Sequence, residues 1–406
     1  MTSRPLPRRT VLQGAAVACG FAGTTAVGAT RAESVAIRLA DGSEATGSRL
    51  WAEGATLRLD DRPLPWGDVL NATVAGPVAG DAEPSGDRGW VELTGGDRLI
   101  GTPTTFDGDA IGLERPDGTT LSLPADRVRG MRFPGAGADV GPLTKPHRLA
   151  LLRDRGADDL ALRSAGGRVG GELLGFDESA VRLLTAAGEI ALPRADLAGL
   201  ALTPDLQTPP ETPAAFLSVL LADGSHLTAA ELSFDETGGT AVTAAGIEVP
   251  LAAGAVRGLS AFAPTVRDAG EPSVTFAAGP AGNPPPVRNR TVTGRRAVAA
   301  GRPRPRGWGV WSGTTLTVPV PPGATAFDVN LALAAAAGEL AEADAQIAVD
   351  DAVQWERSGL RAGDLVPIRV DVTNAINVSL TVLPGTLGGV QDEAFWIAPR
   401  FIIPAP

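Results

Sequence analysis

Few residues of this 406-residue sequence could do covalent or metal chemistry. Cys19 is the single cysteine, and His147 and His226 are the two histidines. The chain after residue 32 therefore offers no thiolate nucleophile, disulfide or cysteine-ligated metal, and little material for a catalytic triad or a histidine metal cluster. No nucleophile elbow, phosphate loop or metal motif is found. We therefore expect a protein that is not an enzyme; a hydrolase with two converging carboxylates is the less favoured alternative.

Tryptophans with polar neighbours, in the last third of the chain, are the candidate binding residues. Sugar recognition generally places an aromatic ring against the apolar face of a pyranose, with polar side chains on the hydroxyls. The candidates are Trp308, Trp311, Gln354, Trp355, Glu356 and Arg357. Each tryptophan could instead be a core residue. Trp355 lies among Gln, Glu and Arg in the sequence and is therefore expected to be the most exposed of the three tryptophans. Phe395 and Trp396 are expected in the core.

Composition and charge restrict the partners. The formal net charge is −11, and it becomes about −15 without residues 1–32, which carry four arginines and no acid. Nucleic acid and anionic lipid are therefore unfavourable partners, because phosphate binding needs clustered cations. An arginine-rich run over residues 288–306 is interpreted as a solvated face, with contact to an acidic glycan as the alternative. No later stretch reaches the roughly 18 apolar residues of a membrane span.

The first 32 residues predict export. Arg8-Arg9-Thr10-Val11-Leu12 leads into a weakly hydrophobic, Gly- and Ala-rich stretch without acids. This resembles the leader of the twin-arginine pathway, which implies a folded cargo and a periplasmic, cell-surface or extracellular destination. Cleavage is expected after Ala29 or Ala32. An ordinary secretory leader and lipidation at Cys19 remain the alternatives.

Four copies of one pattern occupy residues 33–75, 88–134, 158–203 and 215–262. Each opens with alternating apolar residues, continues through a Gly- or Asp-containing turn such as Asp223-Gly224, and ends with an apolar-Pro pair before a short apolar strand. Such spacing predicts four or five short antiparallel strands per copy. Three copies share Phe-Asp, interpreted as a core anchor followed by a turn residue. The copies resemble SH3-like or Sm-like barrels, so we expect small barrel-like repeats packed on one another.

The sequence pattern changes near residue 288. The Pro- and Gly-rich segment before it, 263–287, is interpreted as a linker. Three features follow this change: a Gly-x-Gly-Val-x-Ser segment at 307–312, paired central strands, and Asp392-x-x-x-Trp396 before a Pro-Arg-apolar strand. Residues 288–406 resemble the NPCBM family of carbohydrate-binding-type domains, which implies a jelly-roll β-sandwich like galactose-binding domains. Where that family has His, this chain has Trp311. The family can bind a structural calcium, for which four acids are available here, none assigned as a ligand: Asp344, Asp350, Asp351 and Asp392.

Together these features predict an all-β protein in which tandem small antiparallel β-barrel-like repeats precede a jelly-roll sandwich. The expected function is non-catalytic recognition of a glycan or cell-envelope polymer through the sandwich. The alternative is a structural or protein-interaction scaffold of the cell envelope that binds no sugar. No cofactor is expected, apart from the structural calcium that the resemblance allows.

Overall fold

The computed structural model describes residues 34–78, 88–135, 158–270, 272–276, 285–334, 338, 340–386, 388–389 and 391–405. The predicted leader, its cleavage sites and Cys19 lie outside these residues. The described residues form antiparallel sheets with short 3-10 turns and no α-helix, which confirms the all-β prediction. No helix in these ranges is long and apolar enough to cross a membrane.

Repeats 1 and 2 each contain six strands. In repeat 1 these are β1 Val35–Leu39, β2 Glu44–Gly47, β3 Leu50–Glu53, β4 Thr56–Leu59, β5 Arg62–Pro65 and β6 Val69–Val74. In repeat 2 they are β7 Trp90–Leu93, β8 Arg98–Ile100, β9 Thr102–Phe106, β10 Ala110–Glu114, β11 Thr120–Pro124 and β12 Val128–Arg132.

Repeats 3 and 4 each contain five strands, because one long strand replaces the second and third strands of the earlier copies. Repeat 3 comprises β13 Asp159–Arg163, β14 Arg168–Phe176, β15 Ala180–Thr185, β16 Gly188–Pro193 and β17 Leu197–Ala201. Repeat 4 comprises β18 Phe216–Leu221, β19 His226–Asp235, β20 Gly238–Thr243, β21 Glu248–Ala252 and β22 Val256–Phe262.

Turn chemistry fixes the strand order within a repeat. After Asp223, Gly224 adopts the left-handed φ of 90° that the first hairpin of repeat 4 requires, and the Asp223 carboxylate accepts the Ser225 amide at 2.7 Å. In repeats 1 to 3 the apolar-Pro pair ends a strand and starts a 3-10 turn, at Trp66–Asp68, Ala125–Arg127 and Arg194–Asp196. A further 3-10 turn spans Pro204–Leu206.

The strands of the repeats form antiparallel sheets, and no closed barrel is present in the described chain. In repeat 4 the hydrogen-bonded order is β21-β20-β19-β18-β22, and β21 and β22 do not pair with each other in the described chain. The last strand pairs with another repeat instead. The antiparallel strands of the repeats were predicted, but the sheet of repeat 4 stays open because its last strand pairs with the last strand of repeat 1.

The repeats associate as nested pairs. The last strands of repeats 1 and 4 pair antiparallel through Leu259 and Ala72, and the last strands of repeats 2 and 3 pair in the same way through Met131 and Leu200. A bridge between His226 and Arg98 of β19 and β8 joins the two pairs. Buried apolar side chains from all four repeats form one continuous core. Repeat 1, first in the chain, thus meets repeat 4 directly.

The shared Phe-Asp residues serve structure, as predicted. Phe176 is buried and stacks on Phe106 with ring centroids 6.2 Å apart. The Asp177 carboxylate accepts the amides of Ser179 at 2.7 Å and Ala180 at 3.0 Å. These bonds, together with one from the Ser179 hydroxyl, lower the pKa of Asp177 to about 2. The phenylalanine anchors a core, and the aspartate closes the following turn.

The C-terminal region is a β-sandwich of two antiparallel sheets. The first sheet has the order β25-β28-β35-β30-β33 with β23 also on β35, and the second has the order β24-β29-β34-β31-β32, while β26 and β27 form a separate hairpin. The strands are β23 Val266–Asp268, β24 Ser273–Phe276, β25 Val287–Arg288, β26 Val298–Ala299, β27 Arg302–Pro303, β28 Gly307–Trp311, β29 Thr314–Pro319, β30 Ala326–Leu333, β31 Glu342–Val349, β32 Ala352–Arg361, β33 Leu365–Asp371, β34 Asn377–Pro384 and β35 Glu393–Ile402.

Residues 263–287 are not simply a linker, so that interpretation is wrong for part of the segment. Strand β23 pairs with β35 through Val266 and Ile402, and β24 pairs with β29 through Ser273 and Thr317. Both strands are short and lie between Pro- and Gly-rich stretches, which hid their alternation in the sequence. The sandwich therefore begins before residue 288.

The outward face of the first sheet is covered by the repeats. Phe395 and Ile397 of β35 pack with Phe216 and Phe262 of repeat 4, whose two rings stack with centroids 4.7 Å apart. Arg400 is fully buried and donates through Nη1 to the Leu70 carbonyl of repeat 1 at 2.6 Å. Repeats and sandwich thus share a buried junction, and Glu33–Pro406 behaves as one compact unit.

The arginine-rich run is largely buried, so its interpretation as a solvated face is wrong. Arg290 forms an ion pair with Glu92 of repeat 2, and Arg296 donates through Nη2 to Nδ1 of His226 at 3.1 Å. Arg306 is buried as well. The partners of Arg290 and Arg296 come from repeats far earlier in the chain, so the sequence of the run alone could not show them.

Candidate functional site

The six predicted site residues occupy two separate places in the sandwich. Trp308 and Trp311 lie on β28 in the first sheet, and Gln354, Trp355, Glu356 and Arg357 lie on β32 at the edge of the second sheet. The fold does not bring all six together. Each place is therefore described by itself.

Trp308 belongs to the packing of the sandwich. It is half-buried against the sandwich core, with the Arg288 guanidinium 5.8 Å from its ring centroid. Trp396, directly across the sheet, is fully buried in the same core, and Phe395 is buried on the opposite face, as predicted for both residues. Trp308 therefore serves structure more than recognition.

Trp355 is half-buried, because its side chain packs on the sandwich core where β32 pairs with Ile347. Its neighbours Gln354, Glu356 and Arg357 are exposed. The exposed surface of this strand is thus polar, and the expectation that the Trp355 indole would present an open platform is not met. The alternation of the strand turns the indole inward.

Glu356 ends a polar row on the outer face of the second sheet. Across four strands the register aligns Glu356 with Gln346, Gln346 with Thr381, and Thr381 with Thr315. The two threonine hydroxyls are 2.9 Å apart and hydrogen-bonded. This row is a flat surface of hydroxyl, amide and carboxylate groups, without an aromatic ring among these four residues.

Trp311 lies at the end of β28, beside a glycine-rich loop. Its indole is half-buried, and Nε1 donates to the Gly389 carbonyl at 3.2 Å. The Ser312 amide donates to the Asp392 carbonyl at 3.2 Å, which ties the end of the strand to the same loop. The indole is thus held in one orientation at a loop. A fixed ring loses little conformational entropy when a sugar stacks on it.

Two carboxylates lie in the same region. The Asp392 carboxylate accepts the Glu342 amide at 3.2 Å, and the Glu342 carboxylate accepts the Thr386 hydroxyl at 2.8 Å and pairs with Arg361 at 3.3 Å. Hydrogen bonds from Thr386, followed by the charge of Arg361, lower the pKa of Glu342. Burial raises the pKa of Asp392 despite the bond from the Glu342 amide. Glu342 is therefore a charged hydrogen-bond acceptor at neutral pH.

We call Trp311, Glu342, Thr386, Gly389 and Asp392 the Trp311 end of the sandwich. Trp311 and Asp392 were singled out from the sequence, whereas Glu342 and Thr386 were not. A loop brings the latter two together across 44 positions, and the glycines at 385, 388 and 389 were the only local sign of it. This end offers a fixed aromatic ring and charged and hydroxyl groups for hydrogen bonding.

The acids considered for calcium serve turns. The Asp350 carboxylate accepts the amides of Ile376 and Asn377 at 2.9 and 2.8 Å, and the Asp344 carboxylate accepts the Gly359 amide at 2.9 Å. Asp351 adopts a left-handed φ of 69° after β31. Within the described residues, no group of three or more His, Cys, Asp or Glu is arranged to hold a metal ion.

One protein-family model matches part of the chain. Residues 273–402 match the family described as NPCBM/NEW2 domain, and the match begins at β24. No curated protein matches the chain.

Several solved structures are similar to parts of the chain. The CBM51-2 and INT domains of Clostridium perfringens ZmpB have 21% sequence identity and a TM-score of 0.29. The match covers 32% of this chain and 29% of that chain. A structure of the same protein that contains CBM51-2 in complex with GlcNAc and the INT domains has 17% sequence identity and a TM-score of 0.29. The match covers 42% of this chain and 38% of that chain. CBM51 of C. perfringens GH95 with methyl-galactose has 14% identity, 32% and 92% coverage, and a TM-score of 0.28. This chain spans about a third of the two ZmpB structures. The comparisons support an NPCBM domain at residues 273–402.

Proposed function

We propose that this protein is an exported, non-catalytic binding protein that recognises a carbohydrate at the Trp311 end of its sandwich. The observation that carries the proposal is the Trp311 indole, held at a loop by its bond to Gly389 rather than packed into the core. Glu342 and Thr386 supply the acceptor and hydroxyl groups that sugar hydroxyls need.

The family match supports this assignment, since NPCBM domains are of carbohydrate-binding type. The non-catalytic role is supported by a sequence with two histidines, no cysteine after residue 32 and no nucleophile-elbow motif. Export is supported by the resemblance of residues 1–32 to a twin-arginine leader. Turnover of any polysaccharide by the pure protein would contradict the non-catalytic part of the proposal.

The test is titration of the full chain with a glycan panel that includes N-acetylglucosamine and methyl-galactose, by calorimetry. Trp311→Ala should weaken binding at least about tenfold, because a central aromatic contact is generally worth more than about 1.4 kcal/mol. Glu356→Ala is the matched control on the polar row and should bind like the parent. A ligand that binds Trp311→Ala normally and Glu356→Ala poorly would move the site to the polar row.

A scaffold role is the second candidate function. It is favoured by the extent of the junction, in which the repeats cover one face of the sandwich with Phe216 and Phe262 and leave the Trp311 end to loops. A scaffold without sugar binding predicts no response to any glycan of the panel. It also predicts capture of a defined envelope protein by the full chain, unchanged by Trp311→Ala.

A further inference from the structure

A cavity with polar and apolar walls lies at the junction between the repeats and the sandwich. Its volume is about 60 Å³. The walls come from the paired last strands of repeats 1 and 4, from β18, from the sandwich strands β30 and β35, and from residues 302–306. Apolar packing flanks it, with Phe262 and Phe395 in one cluster and Leu70 and Ile402 in another. The cavity is therefore a partly open recess whose walls come from both the repeats and the sandwich.

Four arginines line this cavity: Arg302, Arg304, Arg306 and Arg400. No carboxylate is among its described lining residues. Neutral hydrogen-bonding residues also line it, and the remaining lining residues are apolar, proline or glycine; the neutral polar ones are Asn71, Thr73, Ser218, Ser260 and Asn330. Guanidinium, hydroxyl and amide groups together are the chemistry that proteins use to bind oxyanions.

The arginines are incompletely neutralised by the protein. Arg400 has no exposed surface, and its Nε and Nη2 make no hydrogen bond to any described residue, although Nη2 lies 3.5 Å from Asp328. Arg306 pairs with Asp268 but leaves its buried Nε without a hydrogen bond in the described chain. Buried charges without partners are among the costliest features that a fold can contain.

Arg302 and Arg304 are paired with no carboxylate of the described residues. Arg302 donates to the carbonyls of Arg257 at 2.9 Å and Val74 at 3.0 Å, which are dipoles and not charges. The Nε of Arg304 is buried and makes no hydrogen bond within the described chain. Two acids, Asp268 and Asp328, pair with the cavity residues Arg306 and Arg400, and each also pairs with an arginine outside the cavity, Arg288 or Arg38. Arginines therefore outnumber carboxylates here, and the difference calls for an anion.

We infer that this cavity binds one small tetrahedral oxyanion, phosphate or sulfate, which joins the repeat 1 and repeat 4 pair to the sandwich. A cavity of about 60 Å³ has room for a few water-sized groups, given roughly 10–15 Å³ per water on this measure. That size suits a single oxyanion and excludes a glycan chain. The site is separate from the Trp311 end and does not depend on sugar binding.

The test is thermal unfolding of the full chain in oxyanion-free buffer, with phosphate or sulfate added at constant ionic strength and sodium chloride as the reference salt. The unfolding temperature should rise by a few degrees at a hundredfold excess over the dissociation constant. A response to phosphate alone or to sulfate alone identifies the natural anion, and a response to both identifies the class. No rise beyond that in chloride would overturn the proposal.

Arg304→Gln should abolish the oxyanion-dependent rise. It should leave the unfolding temperature in oxyanion-free buffer equal to or above that of the parent, because it removes a half-buried cation that no carboxylate of the described residues neutralises. Arg163→Gln changes an exposed arginine of repeat 3 and should keep the full response. An Arg304→Gln protein that responds to phosphate as strongly as the parent would sink the assignment of the site.

A measurement on the unaltered protein covers the case in which Arg304→Gln fails to fold. The parent chain is loaded with phosphate or sulfate, desalted, denatured, and the released anion is counted by ion chromatography. About one anion per chain is expected, and release of none would overturn the proposal. Trp311→Ala should release the same amount, which separates this site from the proposed sugar site.

Discussion

His226 is held in a neutral state by its two buried neighbours. Its Nε2 lies 2.8 Å from the Gly96 carbonyl, which can only accept, so Nε2 carries the hydrogen. Its Nδ1 lies 3.1 Å from Nη2 of Arg296, which can only donate, so Nδ1 must offer a lone pair. A second proton would place two donors face to face. Burial first, and then the charges of Arg296 and Arg98, hold the pKa of His226 well below 6.5.

This geometry makes the stability of the protein depend on pH in a defined direction. In the unfolded chain His226 takes up a proton near its ordinary pKa of 6.5, whereas in the folded chain it does not. The unfolded state therefore binds more protons below that pH, and the free energy of unfolding falls as pH falls. Between pH 7.5 and 5.5 an unfolded imidazole of ordinary pKa accounts for a loss of about 1.4 kcal/mol.

Urea unfolding followed by tryptophan fluorescence, at several pH values, measures this loss. His226→Gln keeps a donor for Gly96 and an acceptor for Arg296 but cannot titrate. The difference in unfolding free energy between parent and His226→Gln should change by about 1.4 kcal/mol over this range, and contributions from all other groups cancel in that difference. Equal pH dependence of the two proteins would refute the buried neutral histidine.

Two further predictions concern the junction and the nested pairs. Asp328→Asn leaves the buried Arg400 without its ion-pair partner, so the free energy of unfolding should fall by about 3–5 kcal/mol in urea titrations; a change below about 1 kcal/mol would contradict the pairing. Gly199 and Gly258 occupy equivalent positions in β17 and β22, but a Cβ on Gly199 would lie 2.2 Å from the Met131 carbonyl, whereas one on Gly258 meets nothing closer than 3.6 Å. Gly199→Ala should therefore lower the unfolding temperature clearly and Gly258→Ala only slightly, and equal effects would refute the register between β12 and β17.

Local patterns predicted the fold class well, because hairpins and strand alternation are properties of neighbouring residues. Turn residues such as Asp223-Gly224 and anchors such as Phe176 have in the structure the roles that the sequence indicated. The strand beginning at Ala326 forms despite the alanine-rich run that follows, because Phe327 and its alternating neighbours enter the sandwich core.

Association between distant segments could not be predicted. The nested pairs depend on which last strands meet, and equivalent copies carry nearly the same pattern at those strands. The copies differ in one consequential place, where Phe234 pairs with Ala52 while its counterpart Phe176 pairs with Phe106. The sequence of repeat 1 contains no phenylalanine, but only the pairing shows that Phe234 therefore meets Ala52 instead of a second ring.

The candidate site was predicted in part for the same reason. Trp311 was visible in the sequence, since a tryptophan in a glycine-rich setting stands out. Glu342 and Thr386 were not, because their contact depends on a loop that closes over the end of the sandwich. The exposure of Trp355 was overestimated, because an indole between exposed polar residues can still pack on the core, as this one does.

The measurement that tests the central claim most directly is calorimetric titration of the full chain and its Trp311→Ala variant with the glycan panel. Sugar recognition at the Trp311 end predicts a saturable heat with at least one glycan, weakened at least about tenfold in Trp311→Ala and unchanged in Glu356→Ala. A folded parent chain that gives no heat with any glycan, or a glycan that both variants bind as the parent does, would contradict sugar recognition at the Trp311 end.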